Sequence, residues 1–166
     1  MMEFGFGPCV PAEAAGVAAL FYDKLSADPV FRAAFPDPDS ARAHCLEFTE
    51  AYLREGEIHR LVGDGMILSA ALWSLPGQHV PSPAWDFICP EPCCKLYLLA
   101  SRRPGAGAAL LERSAARFAP FALLTLCSEG RQAAYFARRG FEEAGSNAFG
   151  ILLRREASAL ASASRA

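Results

Sequence analysis

The sequence is sparing in charge and has no long apolar run. Charged residues make up 20% of the 166, and the formal net charge is -2. Such a balance offers no general attraction for a nucleic-acid polyanion. No apolar stretch approaches the ~20 residues that cross a bilayer, so no membrane partner is expected. The opening residues, Met1-Met2-Glu3-Phe4-Gly5-Phe6-Gly7, lack the basic start and apolar centre of a secretory signal. A cytoplasmic location is the expectation. Internal repeats are absent too.

Metal-ligand spacing is also missing. Cys89, Cys93 and Cys94 fall in Cys-Pro-Glu-Pro-Cys-Cys, while Cys9, Cys45 and Cys127 are scattered. No second C-x-x-C pair and no H-x(3-5)-H spacing accompany His44, His59 or His79, so no metal is expected. Disulfides are not expected without a secretory signal. Cys127 closes an apolar run, where a free thiol packs as a small hydrophobe. Cys93 and Cys94 are the candidates for oxidation. Apolar residues make up 52%, enough to fill the core of one domain, placed over residues 1–155. An Ala/Ser-rich tail over 156–166 is expected to be flexible.

The most informative stretch runs from Leu96 to Leu111. Leu96-Tyr97-Leu98-Leu99 reads as a buried strand, Arg102-Arg103-Pro104-Gly105-Ala106-Gly107 as a basic turn, and Ala108-Ala109-Leu110-Leu111 as the start of an apolar helix. The first N–H groups of such a helix lack partners and lie at the positive end of its dipole, which suits phosphate. Gly105 and Gly107 admit close approach of a ligand, and Arg102 and Arg103 can add charge-assisted hydrogen bonds. Two familiar phosphate sites are excluded by spacing. No Lys-Ser or Lys-Thr follows the glycines, as the P-loop requires, and Leu110 stands where G-x-G-x-x-G needs its third glycine.

A second apolar run, Phe121 to Cys127, reads as a strand. After it, Arg131 to Phe141 reads as a short helix closed by Gly140. This order resembles the GNAT superfamily of N-acetyltransferases. Their cofactor turn, [RQ]-x-x-G-x-[GA], is matched by Arg102, Gly105 and Gly107. Their second signature, N-x-x-x-Y-x-x-x-G-F, is matched in part by Gln132, Phe136, Gly140 and Phe141. More loosely, Asp28 to Asp37 and Ala71 to Gly77 are similar to bacterial members that acetylate small amines, some of them antibiotics.

The resemblance implies an α+β fold: a central mixed, mostly antiparallel sheet with helices on both faces and a V-shaped split between two strands. It implies acetyl-CoA as acyl donor. Pantetheine would pair with Leu98, Leu99 and Ala100, the diphosphate would rest on Arg102, Arg103, Gly105, Ala106, Gly107 and Ala108, and Gln132 and Phe136 would complete the cofactor site. The implied reaction is direct attack of a small-molecule amine on the thioester in a ternary complex; a homodimer is left open. Two departures stand out. Only Ala100 and Ser101 separate Leu99 from Arg102, a shorter link than in typical members. Phe136 stands where many members carry a Tyr that protonates the departing thiolate, and Phe cannot donate a proton. Tyr135 is adjacent, but one helical step turns it about 100° away. The alternative is a module that binds acyl-CoA without turnover, as sensor or scaffold.

The N-terminal half is expected to supply the acceptor side. Apolar spacing predicts a helix over 12–26, stopped at Asp28-Pro29, and a second from an N-cap at Ser40 to Glu55. Ile58–Val62 and Met66–Leu75 flank Gly63-Asp64-Gly65 as a hairpin. Pro76 to Pro92 is expected as a loop across one mouth of the site, and Phe149 to Leu153 as a last strand beside Phe121–Cys127. Candidate bases are Glu47, Glu50, Glu57, Asp86 and Glu91, with His59 as a further candidate. Trp73 and Trp85 could line an apolar acceptor pocket. Glu91, a few residues before the cofactor strand, and Tyr135 are carried forward as the catalytic pair.

Overall fold

A computed structural model describes residues 4–78, 91–128 and 130–157. The elements in chain order are β1 (Gly5–Pro8), a 3-10 turn (Pro11–Glu13), α1 (Ala14–Leu25), α2 (Pro29–Ala34), α3 (Pro38–Glu55), β2 (Glu57–Gly63) and β3 (Met66–Ser74). They continue with β4 (Cys93–Ser101), α4 (Ala106–Phe118), β5 (Ala122–Cys127), α5 (Gly130–Ala137), β6 (Glu142–Asn147) and β7 (Gly150–Arg155). The strands form one seven-stranded sheet in the order β1-β2-β3-β4-β5-β7-β6. Among the described strands only the β4–β5 pair is parallel. The mixed, mostly antiparallel α+β architecture expected from the resemblance is therefore present.

Local chemistry accounts for the boundaries. Asp64 and Gly65 both have positive φ, at 52° and 74°, the geometry of a tight hairpin turn between β2 and β3. Proline at 29 does end α1, but it also begins α2 as its first residue, with the Asp28 carboxylate accepting from the Val30 amide at 2.8 Å. Pro is preorganised for that position, so a helix forms where only a stop was expected. Likewise α3 starts at Pro38 rather than at Ser40. Its cap is Asp37, whose carboxylate accepts from both the amide and the hydroxyl of Ser40.

Helices cover both faces. On one, α4 and α5 bury Leu110, Leu111, Phe118 and Phe136 against Leu61, Trp73, Leu96 and Leu123. On the other, α1 and α3 bury Val17, Leu20, Phe21 and Tyr52 against Ile58, Ala70, Leu72 and Ala100. Each such large apolar side chain contributes about 1.5–3 kcal/mol on burial. Strands β1 and β6 lie at the sheet edges, and their compositions, Gly-Phe-Gly-Pro and Glu-Glu-Ala-Gly-Ser-Asn, hide them from β-propensity. The expected last strand is β7, and it does pair with β5.

Two expectations lie partly outside the described residues. The loop over Pro76–Pro92, with Trp85, Asp86, His79 and Cys89, is described only at its two ends, and the tail only to Ala157.

Candidate functional site

The parallel pair is short. Strand β4 meets β5 only from Cys93↔Ala122 to Leu96↔Thr125, although β4 continues to Ser101 and β5 to Cys127. Beyond Leu96 the two strands diverge. A register shift against β3 coincides with the parting: Trp73 faces Leu96 and Leu72 faces Leu98, which leaves Tyr97 as an extra residue in β4. A bulge of this kind bends the strand and ends its regular pairing.

The gap opens into a cavity of about 700 Å³, ample for a small-molecule ligand. Its deep end is lined by Leu96, Tyr97, Thr125 and Phe136, and its outer end by Ser101, Arg102 and Gly107. The outer end is built by the β4–α4 turn. Gly105 is the N-cap of α4 and sits at φ 82°, a left-handed conformation that a side chain would strain. The Ala106 amide is occupied by the Arg103 carbonyl at 3.1 Å, and the first helical bond runs from Ala109 to Gly105 at 3.0 Å. The amides of Gly107 and Ala108 have no acceptor among the described residues. They are open donors at the positive end of a 13-residue helix. Lys24, Arg102 and Arg131 surround the same cavity. Arg102 also contacts the Asp23 carboxylate at 3.3 Å, an exposed pair that costs little to part.

The fate of the expected cofactor residues follows from this geometry. Leu98, Leu99, Arg102, Gly107, Gln132 and Phe136 line the cavity together. Ala100 turns its side chain into the α1 face and its carbonyl accepts from Ser69 Oγ at 2.8 Å. Arg103, Gly105, Ala106 and Ala108 shape the turn without lining the cavity. In the link, β4 runs through Ser101, and the Arg102 amide extends its ladder to Leu68 at 2.9 Å. Sequence reasoning missed Leu20, Asp23, Lys24 and Ala27, all on or after α1, and Thr125, Leu126 and Arg131 near β5. Nothing in the local pattern of α1 signals that its C-terminal end reaches a turn some 80 residues away.

The expected catalytic pair is not brought together. Glu91 does not line the cavity; it is exposed and ion-paired with Arg154 at 2.6 Å, and Arg154 also binds Glu156. Tyr135 does face the cavity, contrary to the rotation expected from one helical step, but at its outer end. A Cβ built on Gly107 would lie 3.3 Å from the Tyr135 hydroxyl. The Arg139 guanidinium stacks 3.5 Å from the Tyr135 ring centroid, and its Nη1 donates to the Tyr135 carbonyl at 2.6 Å.

Other candidates have structural roles. His59 has no exposed surface; its Nε2 lies 2.6 Å from Glu57 Oε1 and its Nδ1 2.8 Å from Ser114 Oγ. The order of groups is that of a nucleophilic relay, but Ser114 is fully buried and meets no substrate. The relay instead ties the middle of α4 to β2. The hydrogen bond from His59, helped by Arg117, holds the Glu57 carboxyl below its usual range against the opposing effect of burial. Trp73 is fully buried, edge-on to Phe118, and belongs to the core rather than to an acceptor pocket. Glu47 and Glu50 are exposed on α3. The described cysteines are all buried, and no disulfide joins them. Burial pushes the Cys94 thiol up to about 12 and that of Cys127 to about 11. Cys94 has no exposed surface, and a thiol so enclosed is not accessible to an oxidant.

No family model matches the sequence, and neither does any curated protein. Solved structures do match the fold. A protein of Corynebacterium glutamicum described as histone acetyltransferase HPA2 and related acetyltransferase aligns at TM-score 0.72 and 23% identity, over 95% of this chain and 98% of that one. The PaiA N-acetyltransferase of Thermoplasma acidophilum in complex with coenzyme A aligns at TM-score 0.66 and 8% identity, over 93% and 99%. A GNAT-family acetyltransferase of Brucella melitensis in complex with acetyl-CoA aligns at TM-score 0.56 and 14% identity, over 92% and 96%. The chain has the GNAT fold, split strands included.

Proposed function

We propose that this protein is an acetyl-CoA-dependent N-acetyltransferase of the GNAT type, acting on an amine of a small molecule. One observation carries the reading: strands β4 and β5 separate beyond Leu96 and Thr125, and the gap between them ends on open amides at the head of α4. A pantetheine arm fits a gap of that form, extended along Leu98 and Leu99, with the diphosphate on Gly107 and Ala108 between Lys24, Arg102 and Arg131. The thioester then lies at the deep end, beside Leu96, Tyr97, Thr125 and Phe136.

In this reading the chain works mainly by alignment. It holds donor and amine in one cleft so that attack on the thioester is effectively intramolecular. The nitrogen bonds to the acetyl carbon, the carbon–sulfur bond breaks, and the amine proton leaves as the thiolate departs. Among the described residues Asp23 is the one carboxylate lining the cavity, and it belongs to the outer end. Proton removal therefore falls to water or to an acceptor-side group. Titration calorimetry with acetyl-CoA, followed by a thiol-release assay across a panel of amines, tests the proposal; absence of heat would sink it.

A second reading has its own support. Phe136, which cannot protonate a thiolate, is buried at the deep end. Binding of acetyl-CoA with no thiol release from any amine would favour a non-catalytic acyl-CoA module.

A further inference from the structure

We propose that Tyr135 is a diphosphate-binding residue, and that it does not serve the departing thiolate. The inference rests on the acetyl-CoA reading above and concerns one end of the same cavity. It begins from position. The Tyr135 hydroxyl lies over the first turn of α4, 3.3 Å from where a Gly107 side chain would begin, with Ser101 Cβ and Leu99 Cδ2 next nearest at 3.5 and 3.8 Å. Gly107 thus sits level with the last residues of β4. The strands part three to five residues earlier, at Leu96. At about 3.3 Å per strand residue this is on the order of 10–16 Å along β4, so the hydroxyl belongs to the Gly107 end even though its ring meets Phe136 at 5.2 Å.

The hydroxyl is also held in place. Arg139 covers the Tyr135 ring on one face and is anchored to the Tyr135 carbonyl, while Phe136 meets the ring edge-on at 5.2 Å. From that held ring the hydroxyl reaches the first turn of α4, beside the Cβ direction of Gly107, in the turn where the Gly107 and Ala108 amides have no acceptor among the described residues. Burial raises the phenol above its ordinary pKa, with Arg139 opposing, so it stays protonated and remains a donor at neutral pH. A phenol O–H aimed at the same volume as two backbone N–H groups completes a donor set for an anionic oxygen. It also explains the small residue at 107, since a side chain there would displace the hydroxyl as well as the ligand.

The test compares donors with and without a diphosphate. Tyr135→Phe is assayed with acetyl-CoA and with S-acetyl-pantetheine, alongside calorimetric titration of wild type and variant with coenzyme A. The expected result is a coenzyme A Kd and an acetyl-CoA KM raised about tenfold, the loss of one charge-assisted hydrogen bond. With S-acetyl-pantetheine the variant should match wild type, and the kcat–pH profile should not move. An equal loss of kcat with both donors, together with an altered basic limb, would return Tyr135 to the thiolate and overturn the proposal. An unchanged affinity for coenzyme A would overturn it as well. A wild type that binds no coenzyme A would instead overturn the acetyl-CoA reading itself, so the two failures are distinct.

Discussion

The two ends of α4's first three turns are treated in opposite ways. At its head, the Gly107 and Ala108 amides have no acceptor among the described residues, Gly107 lies on the cavity wall, and the helix has no side-chain cap. Two turns on, Ser114 is fully buried and locked to His59, which is locked in turn to Glu57 and, through it, to Arg117. A glycine N-cap such as Gly105 costs only a few tenths of a kcal/mol relative to a side-chain cap. The helix sustains it because its middle is fixed to β2 by a satisfied polar relay and by Leu110 and Leu111 in the core. Receptivity at one end depends on rigidity at the other.

The sharpest way to break that contrast is at the head. Gly107→Val places branched carbons against the Tyr135 hydroxyl and over the open amides. Affinity for coenzyme A should fall on the order of 100-fold, the ~3 kcal/mol of several lost charge-assisted bonds, and crowding of the buried site against Tyr135, Ser101 and Leu99 should cost about 1–3 kcal/mol of stability. Calorimetry and a thermal scan on the same sample separate the two quantities. Next comes the anchored end. His59→Ala removes the hydrogen bond that His59 makes to Ser114, leaves Glu57 with Arg117 alone, and opens a cavity beside Phe118. It should cost about 2–4 kcal/mol of stability by denaturant titration, while bound coenzyme A recovers part of the loss.

A smaller effect should come from pH. The Glu57 carboxyl is held below its usual range by His59, so its contribution is present above the unfolded carboxylate pKa, near 4.5, and fades as pH falls through the folded value. Glu57→Gln should therefore be less stable than wild type at pH 6, and the gap should close in acid. A melting series from pH 6 to pH 3 checks this; a gap that stays constant would contradict it. Smallest of all, Asp23→Asn frees Arg102 from an exposed pair. It should tighten coenzyme A binding two- to threefold and change stability by under about 0.5 kcal/mol.

Much of the head of α4 was legible in the sequence, because glycine spacing and adjacent arginines record backbone geometry directly. Arg102, Gly105 and Gly107 all fall where the turn needs them. The other wall was not legible. Lys24 and Asp23 reach the cavity only because α1 packs across the far face of the sheet, which is a property of tertiary arrangement. Glu91 looked promising by its distance along the chain from β4; the strand's direction carries it to the opposite end, against Arg154. Tyr135 was misjudged by treating α5 as a cylinder with one working face. The helix lies alongside the cavity, so Tyr135 and Phe136, about 100° apart around its axis, both line it.

The four residue pairs between β4 and β5 have a mechanical consequence. Among the described residues they are the sheet's sole backbone seam between the β1–β4 half and the β5–β7–β6 half, so the two halves are stapled along less than half the length of β4. An extended molecule lying in the unzipped portion would act as a surrogate strand, bridging both halves where the protein's own hydrogen bonds stop. Amide exchange in β5 and β7 would then slow on binding even though those strands are already paired, because what stiffens is the seam between the halves.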